Sequence, residues 1–350
     1  VEDLVVVDHH EGVVWLIANA INADGLDDGV EAAYERSVAR LDAMAAGLEV
    51  PVTAGVSTLT TTAPVSEVRQ RTSQDDYEAA VLAGQQAIRD GEVFQVVLSQ
   101  RFDLDCPSDP IDVYRVLRTL NPSPYMYCVS LTDHEGHPFA IVGSSPETLA
   151  KVSNREVMTY PIAGSRPRGK DADQDGDLEV ELLADAKERA EHLMLVDLGR
   201  NDLAKVADPA TVRVSEFMHV RRFSHIMHIC STVTGVLRER ATALDTLIAT
   251  FPAGTLSGAP KPRAVALIDE LEPARRGVYG GTVGYLDLAG NLDMAIAIRT
   301  ALIKDGTAHV QAGAGIVADS RPFAEYEECR NKAAAVVRAV QLASQMRTTA

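Results

Sequence analysis

Apolar and polar positions change their pattern near residue 66. Before it, Leu4 to Asn19 holds two strand-like runs around the turn His9-His10-Glu11-Gly12, and residues 29 to 47 put Ala, Leu and Met on one face of a helix. Residues 50 to 66 are rich in Thr, Ala, Val and Pro with almost no charge and include Thr60-Thr61-Thr62-Ala63-Pro64 near their end. That composition predicts a linker and divides the chain into residues 1 to 66 and 67 to 350. Beyond the linker, Ser73-Gln74-Asp75-Asp76 predicts a capped helix to about Asp90, followed by a strand from Val93 to Asp105. Further strands are predicted over 125 to 132, 138 to 143, 156 to 160, 210 to 215, 226 to 237, 278 to 288, 293 to 303 and 307 to 316. Long helices are predicted over 176 to 198, 259 to 271 and 322 to 346. Successive strands joined by Gly or Asp turns favour antiparallel pairing, so the predicted class is α+β, with large sheets covered by helices. No internal repeat, Gly-x-Gly-x-x-Gly or Walker sequence is present, which turns the reading away from dinucleotide and NTP chemistry.

Composition narrows the function classes. A chain of 350 residues that is 46% hydrophobic buries a large core. Its net charge of -17 repels polyanions at long range, which excludes nucleic acid and anionic membrane as partners. A small anion can bind only at a local cationic or metal site. Cys106, Cys128, Cys230 and Cys329 are far apart with no Cys-x-x-Cys pair, as in the reduced thiols of a cytoplasmic protein. No apolar run has bilayer-spanning length and no leader-like segment opens the sequence. The start at Val1, directly before the strand-like Leu4-Val5-Val6-Val7, is read as the cut end of a longer chain.

Candidate chemistry lies in carboxylates, glycine-rich segments and a few cations. Glu188 and Glu191 sit at i,i+3 on a helical stretch, and Glu325 and Glu328 repeat the spacing near the C-terminus. Two such pairs brought together make an oxygen-rich site of the kind magnesium prefers; the same spacing equally makes a solvated helix face. Four segments are richer in glycine than packing needs: 161 to 169, 255 to 261, 280 to 284 and 311 to 315. Each lets main-chain N-H groups approach an anion, or simply forms a tight turn. Arg299 and Lys332 are cations suited to an acidic ligand, although Lys332 is also one helical turn from Glu328. His228 lies in an apolar run, where a core histidine and a catalyst look alike, and His225, His228 and Cys230 do not form a zinc set. From residues alone, the chain is an acidic enzyme of undefined reaction.

Five segments carry a resemblance. Pro161-Ile162-Ala163-Gly164-Ser165-Arg166-Pro167-Arg168-Gly169, Leu195-Val196-Asp197-Leu198-Gly199-Arg200-Asn201-Asp202-Leu203, Thr255-Leu256-Ser257-Gly258-Ala259-Pro260-Lys261, the run from Gln311 to Ser320 and Glu325-Tyr326-Glu327-Glu328-Cys329-Arg330-Asn331-Lys332-Ala333 together resemble the chorismate-utilising enzymes, in order from about Ser73 to Ser344. The resemblance implies two large antiparallel β-sheets packed as a sandwich with helices outside. It implies that Glu191 and Glu328 hold magnesium, with Glu188 and Glu325 in support. The substrate set it implies is Gly164, Ser165, Thr255, Tyr279, Arg299, Gly313, Ala314, Gly315 and Lys332. Ser165 departs from the family's commoner Thr but keeps the hydroxyl.

Within that family, isochorismate and salicylate synthases carry a water-activating lysine where this chain has Gln95, and aminodeoxychorismate synthases a nucleophilic lysine where it has Ala163. Neither residue here can do that work. The resemblance therefore implies the anthranilate-forming branch, the first committed step of tryptophan biosynthesis, in which chorismate and ammonia give anthranilate and pyruvate. Glu147 matches the acid for the departing hydroxyl, and His228 matches the histidine of pyruvate elimination, oriented in this reading by Glu147. The implied ammonia source is a separate glutamine amidotransferase subunit. Tryptophan feedback is implied at Pro124, Tyr125 and Met126, with the other half of that site absent from this sequence, so weak feedback is expected. The competing readings are another chemistry of the family and a scaffold without turnover.

Overall fold

A computed structural model of the chain describes residues 1–23, 25–27, 29–51, 56–59, 65–223 and 226–349. These fall into two compact units, Val1–Thr58 with Arg347–Ala350, and Leu59–Met346. In the first, the strands Asp3–Asp8 and Val13–Ala18 form a hairpin beside the helix Gly29–Glu49. Arg40 on that helix binds Asp3 and the Asn19 carbonyl. The expected linker contains the strand Val56–Leu59, while Thr60 to Pro64 lie outside the described residues.

The second unit contains two seven-stranded antiparallel sheets. One runs in the order Gly258–Ala259, Gln95–Asp105, Thr307–Ile316, Thr300–Lys304, Pro138–Ser145 and Tyr125–Thr132, with Arg69–Gln70 added to Gln95–Asp105. The other runs Ile162–Pro167, Ile226–Val236, Glu156–Thr159, Thr148–Ser153, Leu292–Ile296 and Thr282–Leu286, with Arg213–Arg222 added to Ile226–Val236.

Strand alternation separates packing from chemistry in the first sheet. Val96, Leu98, Phe102 and Leu104 project into cores formed with the helices Gln74–Arg89, Pro110–Leu120, Lys261–Leu271 and Pro322–Ala343. Ala308, Val310, Ala312, Ala314 and Ile316 do the same from the neighbouring strand. Each fully buried Val, Leu or Ile contributes roughly 1.5–3 kcal/mol, so this face fixes the register. The intervening residues, Gln95, Ser99 and Arg101 with His309, Gln311, Gly313 and Gly315, therefore share the opposite face. The second sheet is packed by the helices Ala186–Ala204 and Ala243–Thr250 around Leu149, Val152, Val196, Leu203 and Val233.

Four expectations about elements change. The helix expected over 176 to 198 is two, Ala172–Ala184 and Ala186–Ala204, because Asp185 caps the second by accepting from Lys187 N and Glu188 N. The strand expected over 293 to 303 is broken, because Arg299 turns the chain with φ +51° between Leu292–Ile296 and Thr300–Lys304. The expected strand over 210 to 215 begins as a single 3-10 turn at Pro209–Thr211. The glycine segment 311 to 315 lies inside a strand, where it is neither a turn nor a loop.

Candidate active site

All candidate site residues lie in the Leu59–Met346 unit. Gly164 falls where the Ile162–Pro167 strand slips register against Ile226–Val236, between Ala163 and Ser165. Its φ of +77° is the left-handed region, and a Cβ there would come 3.0 Å from Glu188 Oε2. The bulge presents the Gly164 carbonyl to His228 Nδ1 at 3.1 Å. A carbonyl only accepts, so Nδ1 carries the proton and Nε2 keeps its lone pair. Burial holds the imidazole pKa below its usual value against the Gly164 bond, and Arg299 and Lys332 push the same way, so His228 is a neutral base near pH 7. The ring is thus oriented by Gly164 and not by Glu147 as expected from the sequence, because the side-chain hydrogen bond to Glu147 comes from Thr255 Oγ1 at 2.8 Å.

Glu147 follows the buried end of Pro138–Ser145. Burial raises its pKa to about 7 against the opposing Thr255 hydrogen bond and the Lys332 charge. A carboxyl in that range carries a proton it can give up at neutral pH. Thr255 comes from the four-residue helix Gly254–Ser257.

The turn at Arg299 opens an edge of the first sheet. Thr300–Lys304 pairs with Thr307 to Val310, so the residues from Gln311 to Ile316 have one strand partner, Val96 to Arg101, among the described residues. Lys332 Nζ reaches the Gly313 carbonyl on this segment at 3.0 Å and Glu328 Oε1 at 2.6 Å, so the ion pair and the site placement coexist. A Cβ at Gly313 would stand 2.7 Å from Tyr279 Oη, and one at Gly315 would stand 2.3 Å from Gln95 Nε2. Glycine is what lets those two side chains lie on the strand. Ala314 points into the outer core, which leaves only its main chain for a ligand. Arg299 makes no side-chain hydrogen bond or ion pair among the described residues; burial lowers its pKa, and Tyr279 and Glu328 oppose this. An acidic ligand supplies the partner such a guanidinium lacks.

The two glutamate pairs come together. Burial raises the Glu191 pKa, and the charges of Glu188 and Glu328 add to it. Burial also raises that of Glu325 against a Ser320 hydrogen bond, with Glu328 adding to it. Gln95 Nε2 donates to Glu191 Oε1 at 3.3 Å, and Arg166 Nη1 stands 3.5 Å from Glu188 Oε1. Mutually repelling carboxylates from two helices, all oxygen donors, fit a hard divalent cation. No three of these glutamates have carboxylate oxygens all within 4.8 Å of one another; among the described residues the group that does meet that spacing is elsewhere, at Asp133, Glu135 and His137. There Asp133 caps a turn and binds Lys304.

Tyr125 donates to Asp293 Oδ1 at 2.8 Å and shares a hydrogen bond with Thr148 Oγ1. Pro124 precedes it and Met126 packs on the first core, so the expected regulatory segment forms a sheet edge. His225 lies outside the described residues. Sequence reasoning missed Arg166, which binds Glu181 and Asp185, the pair Lys261 and Asp202, and Arg276, which binds the Leu256 and Val97 carbonyls; the first three lie within the segments that carry the resemblance.

An acid of raised pKa, a neutral imidazole, and a guanidinium without a side-chain partner among the described residues suit a small anionic ligand. The family model of chorismate binding enzymes matches residues 1–338, and the chain belongs to that family. It is 58% identical to anthranilate synthase component 1 of Arthrobacter globiformis over 99% of this chain and 66% of that protein. It is 56% identical to the same component of Mycolicibacterium smegmatis over 98% of this chain and 65% of that protein. The crystal structure of anthranilate synthase component I from Streptococcus pneumoniae superposes with a TM-score of 0.83 at 40% identity, covering 96% of this chain and 72% of that one. The chain thus spans about two thirds of the length of the curated relatives it matches.

Proposed function

We propose that this chain converts chorismate and ammonia to anthranilate and pyruvate. The observation that carries this is Gln95: its amide is buried, its nitrogen is committed to Glu191, and its carbonyl oxygen has no hydrogen-bond partner among the described residues. That oxygen can accept an N-H of ammonia, and unlike a lysine amine it cannot deprotonate a water. With glutamine there and alanine at position 163, the chain offers neither a lysine base nor a lysine nucleophile.

Ammonia adds at C2 of chorismate as the ring double bonds shift and the C4 hydroxyl leaves. The protonated Glu147 gives that hydroxyl its proton, so the leaving group departs as water. The ammonium formed at C2 loses a proton, which restores Glu147; His228 Nε2 then takes the C2 proton, the C3-oxygen bond breaks as the ring becomes aromatic, and the departing enolate takes up that proton at its methylene carbon to give pyruvate. Arg299, Lys332, Tyr279 and the main chain of Gly313 to Gly315 bind the side-chain carboxylate, and Gly164, Ser165 and Thr255 close the pocket around the ring. Glu191 and Glu328, with Glu188 and Glu325, would hold magnesium, which would supply positive charge for the ring carboxylate. A glutamine amidotransferase subunit as ammonia source, a cytoplasmic setting and tryptophan control at Pro124, Tyr125 and Met126 belong to the same proposal.

The test is incubation with chorismate, magnesium and ammonium, following anthranilate by fluorescence and other products by mass. Anthranilate formed by the wild type and lost in Glu328→Ala supports the reading. Isochorismate or an aminodeoxychorismate as the sole product, or intact chorismate, overturns it.

A further inference from the structure

The segments Leu195 to Leu203 and Thr255 to Lys261 lie far apart in sequence, yet their polar side chains meet. Lys261 Nζ donates to Asp202 Oδ2 at 2.6 Å and to the Thr250 carbonyl at 2.8 Å. Both side chains are nearly inaccessible, at 11% and 8% exposure. Asp202 Oδ1 also accepts from Lys205 at 2.8 Å. One ammonium group therefore ties together the end of the helix Ala243–Thr250, the helix Ala186–Ala204 and the start of Lys261–Leu271.

The segment between Thr250 and Lys261 carries Thr255. Its helix, Gly254–Ser257, is one turn long and has no side-chain cap, so it cannot fix its own position. A Cβ at Gly254 would meet Leu198 Cδ2, and Leu198 is one helical turn before Asp202 on the same helix face. The helix thus holds this segment at two points, by contact at Leu198 and by charge at Asp202. Glu147, Thr255, Gly254, Leu198 and Asp202 line a single cavity. A buried ion pair is a poor way to add net stability, because desolvation consumes much of its Coulombic gain. Its directional geometry does define where a short uncapped helix sits.

We propose that Lys261 and Asp202 are positioning residues for catalysis: their buried pair sets the 251 to 260 segment so that the Thr255 hydroxyl meets Glu147. Neither touches the substrate. This rests on the proposed anthranilate-forming reaction for its kinetic readout, though not for its structural one.

The experiment compares wild type, Lys261→Met, Thr255→Val and the double variant, measuring anthranilate formation across pH at constant free ammonia. Lys261→Met is expected to lower kcat about tenfold, the effect of one misplaced hydrogen bond, with the KM for chorismate changed less than about twofold. Its alkaline limb, set by Glu147, moves to higher pH in the same direction as that of Thr255→Val, and the double variant is no slower than the slower single variant. An unmoved limb, or effects that multiply in the double variant, overturns the clamp. If Lys261→Met does not fold, Asp202→Asn carries the same expectations. The Glu147 carboxyl, assigned by its loss in Glu147→Gln, is also titrated by 13C NMR without substrate. A titration identical in Lys261→Met and wild type overturns the clamp whether or not the enzyme turns over. Wild-type protein that leaves chorismate intact while that titration moves overturns the reaction alone.

Discussion

Glu147→Gln should stabilise the protein while removing its activity, and the gain should depend on pH. The carboxyl has a pKa of about 7 in the folded state against 4.5 as an ordinary glutamate, with burial the dominant cause. Below pH 4.5 the group is protonated folded and unfolded and has no effect on the pH dependence. As pH rises from 4.5 to 7, the unfolded chain ionises while the folded protein keeps the proton, so stability falls. Above 7 the folded state bears a buried carboxylate at full cost. The interval at 1.36 kcal/mol per pKa unit gives about 3 kcal/mol. Glutamine cannot ionise, and all other titrating groups cancel in the comparison with wild type. Urea denaturation followed by circular dichroism should therefore show the two proteins alike near pH 4.5 and Glu147→Gln more stable by up to about 3 kcal/mol at pH 8. Over the same range kcat of the wild type should fall as pH passes 7, and the variant should be slower by about 100-fold or more. A stability difference that is flat between pH 5 and 8, or that favours the wild type at pH 8, refutes the assignment of Glu147 as a destabilised acid.

Gly313→Ala places a Cβ 2.7 Å from Tyr279 Oη and 2.9 Å from the Leu98 carbonyl. It should cost about 1–3 kcal/mol of stability by overpacking and raise the KM for chorismate more than it lowers kcat, as read by denaturation and steady-state kinetics. Gln95→Leu removes the acceptor proposed for ammonia; the KM for ammonia should rise about tenfold, the effect of one lost hydrogen bond, while that for chorismate stays within about twofold. Magnesium should raise the melting temperature of the wild type in a thermal-shift assay and leave Glu191→Gln and Glu328→Gln unmoved, since a ligand binding only the folded state stabilises it by mass action.

Periodicity was most informative where one element packs against one core. The strands over 125 to 132 and 307 to 316 were read to the residue, and Ser73 was read as the cap that it is, accepting from Asp76 N. The helix break at Asp185 was also readable, since Asp185-Ala186-Lys187-Glu188 has the spacing of a capping box. Likewise Asp109-Pro110, a cap followed by proline at the first helical turn, announces the unpredicted helix Pro110–Leu120. The break at Arg299 had no such signal, because nothing local favours φ +51° at an arginine; the surrounding pairings impose it. Long-range pairs were equally hidden. Thr255 and Glu147 are 108 residues apart and Lys261 and Asp202 are 59 apart, so no window of sequence contains either bond. The segments that hold them could be recognised, but only the fold gives each side chain its partner.

The site also shows why positions 95 and 163 bear on the reaction. Ala163 pairs with Ile229 in a strand and lies beside the bulge that turns Gly164 toward His228. Gln95 pairs with Ala259, two residues before Lys261, and reaches over Gly315 to Glu191. One position adjoins the proposed elimination base and the other adjoins a carboxylate of the proposed metal set, so a lysine at either would enter the site at a different place. A lysine at 95 would also put its charge against Glu191, where desolvation and a close carboxylate act on its pKa in opposite directions. The neutral amide avoids that contest. It gives its nitrogen to Glu191 and keeps its oxygen as an acceptor, which can hold a nucleophile by an N-H or O-H but cannot take a proton from water as a lysine amine would. In the proposed reaction the choice of nucleophile is then set by which side chains are absent at 95 and 163 as much as by which are present.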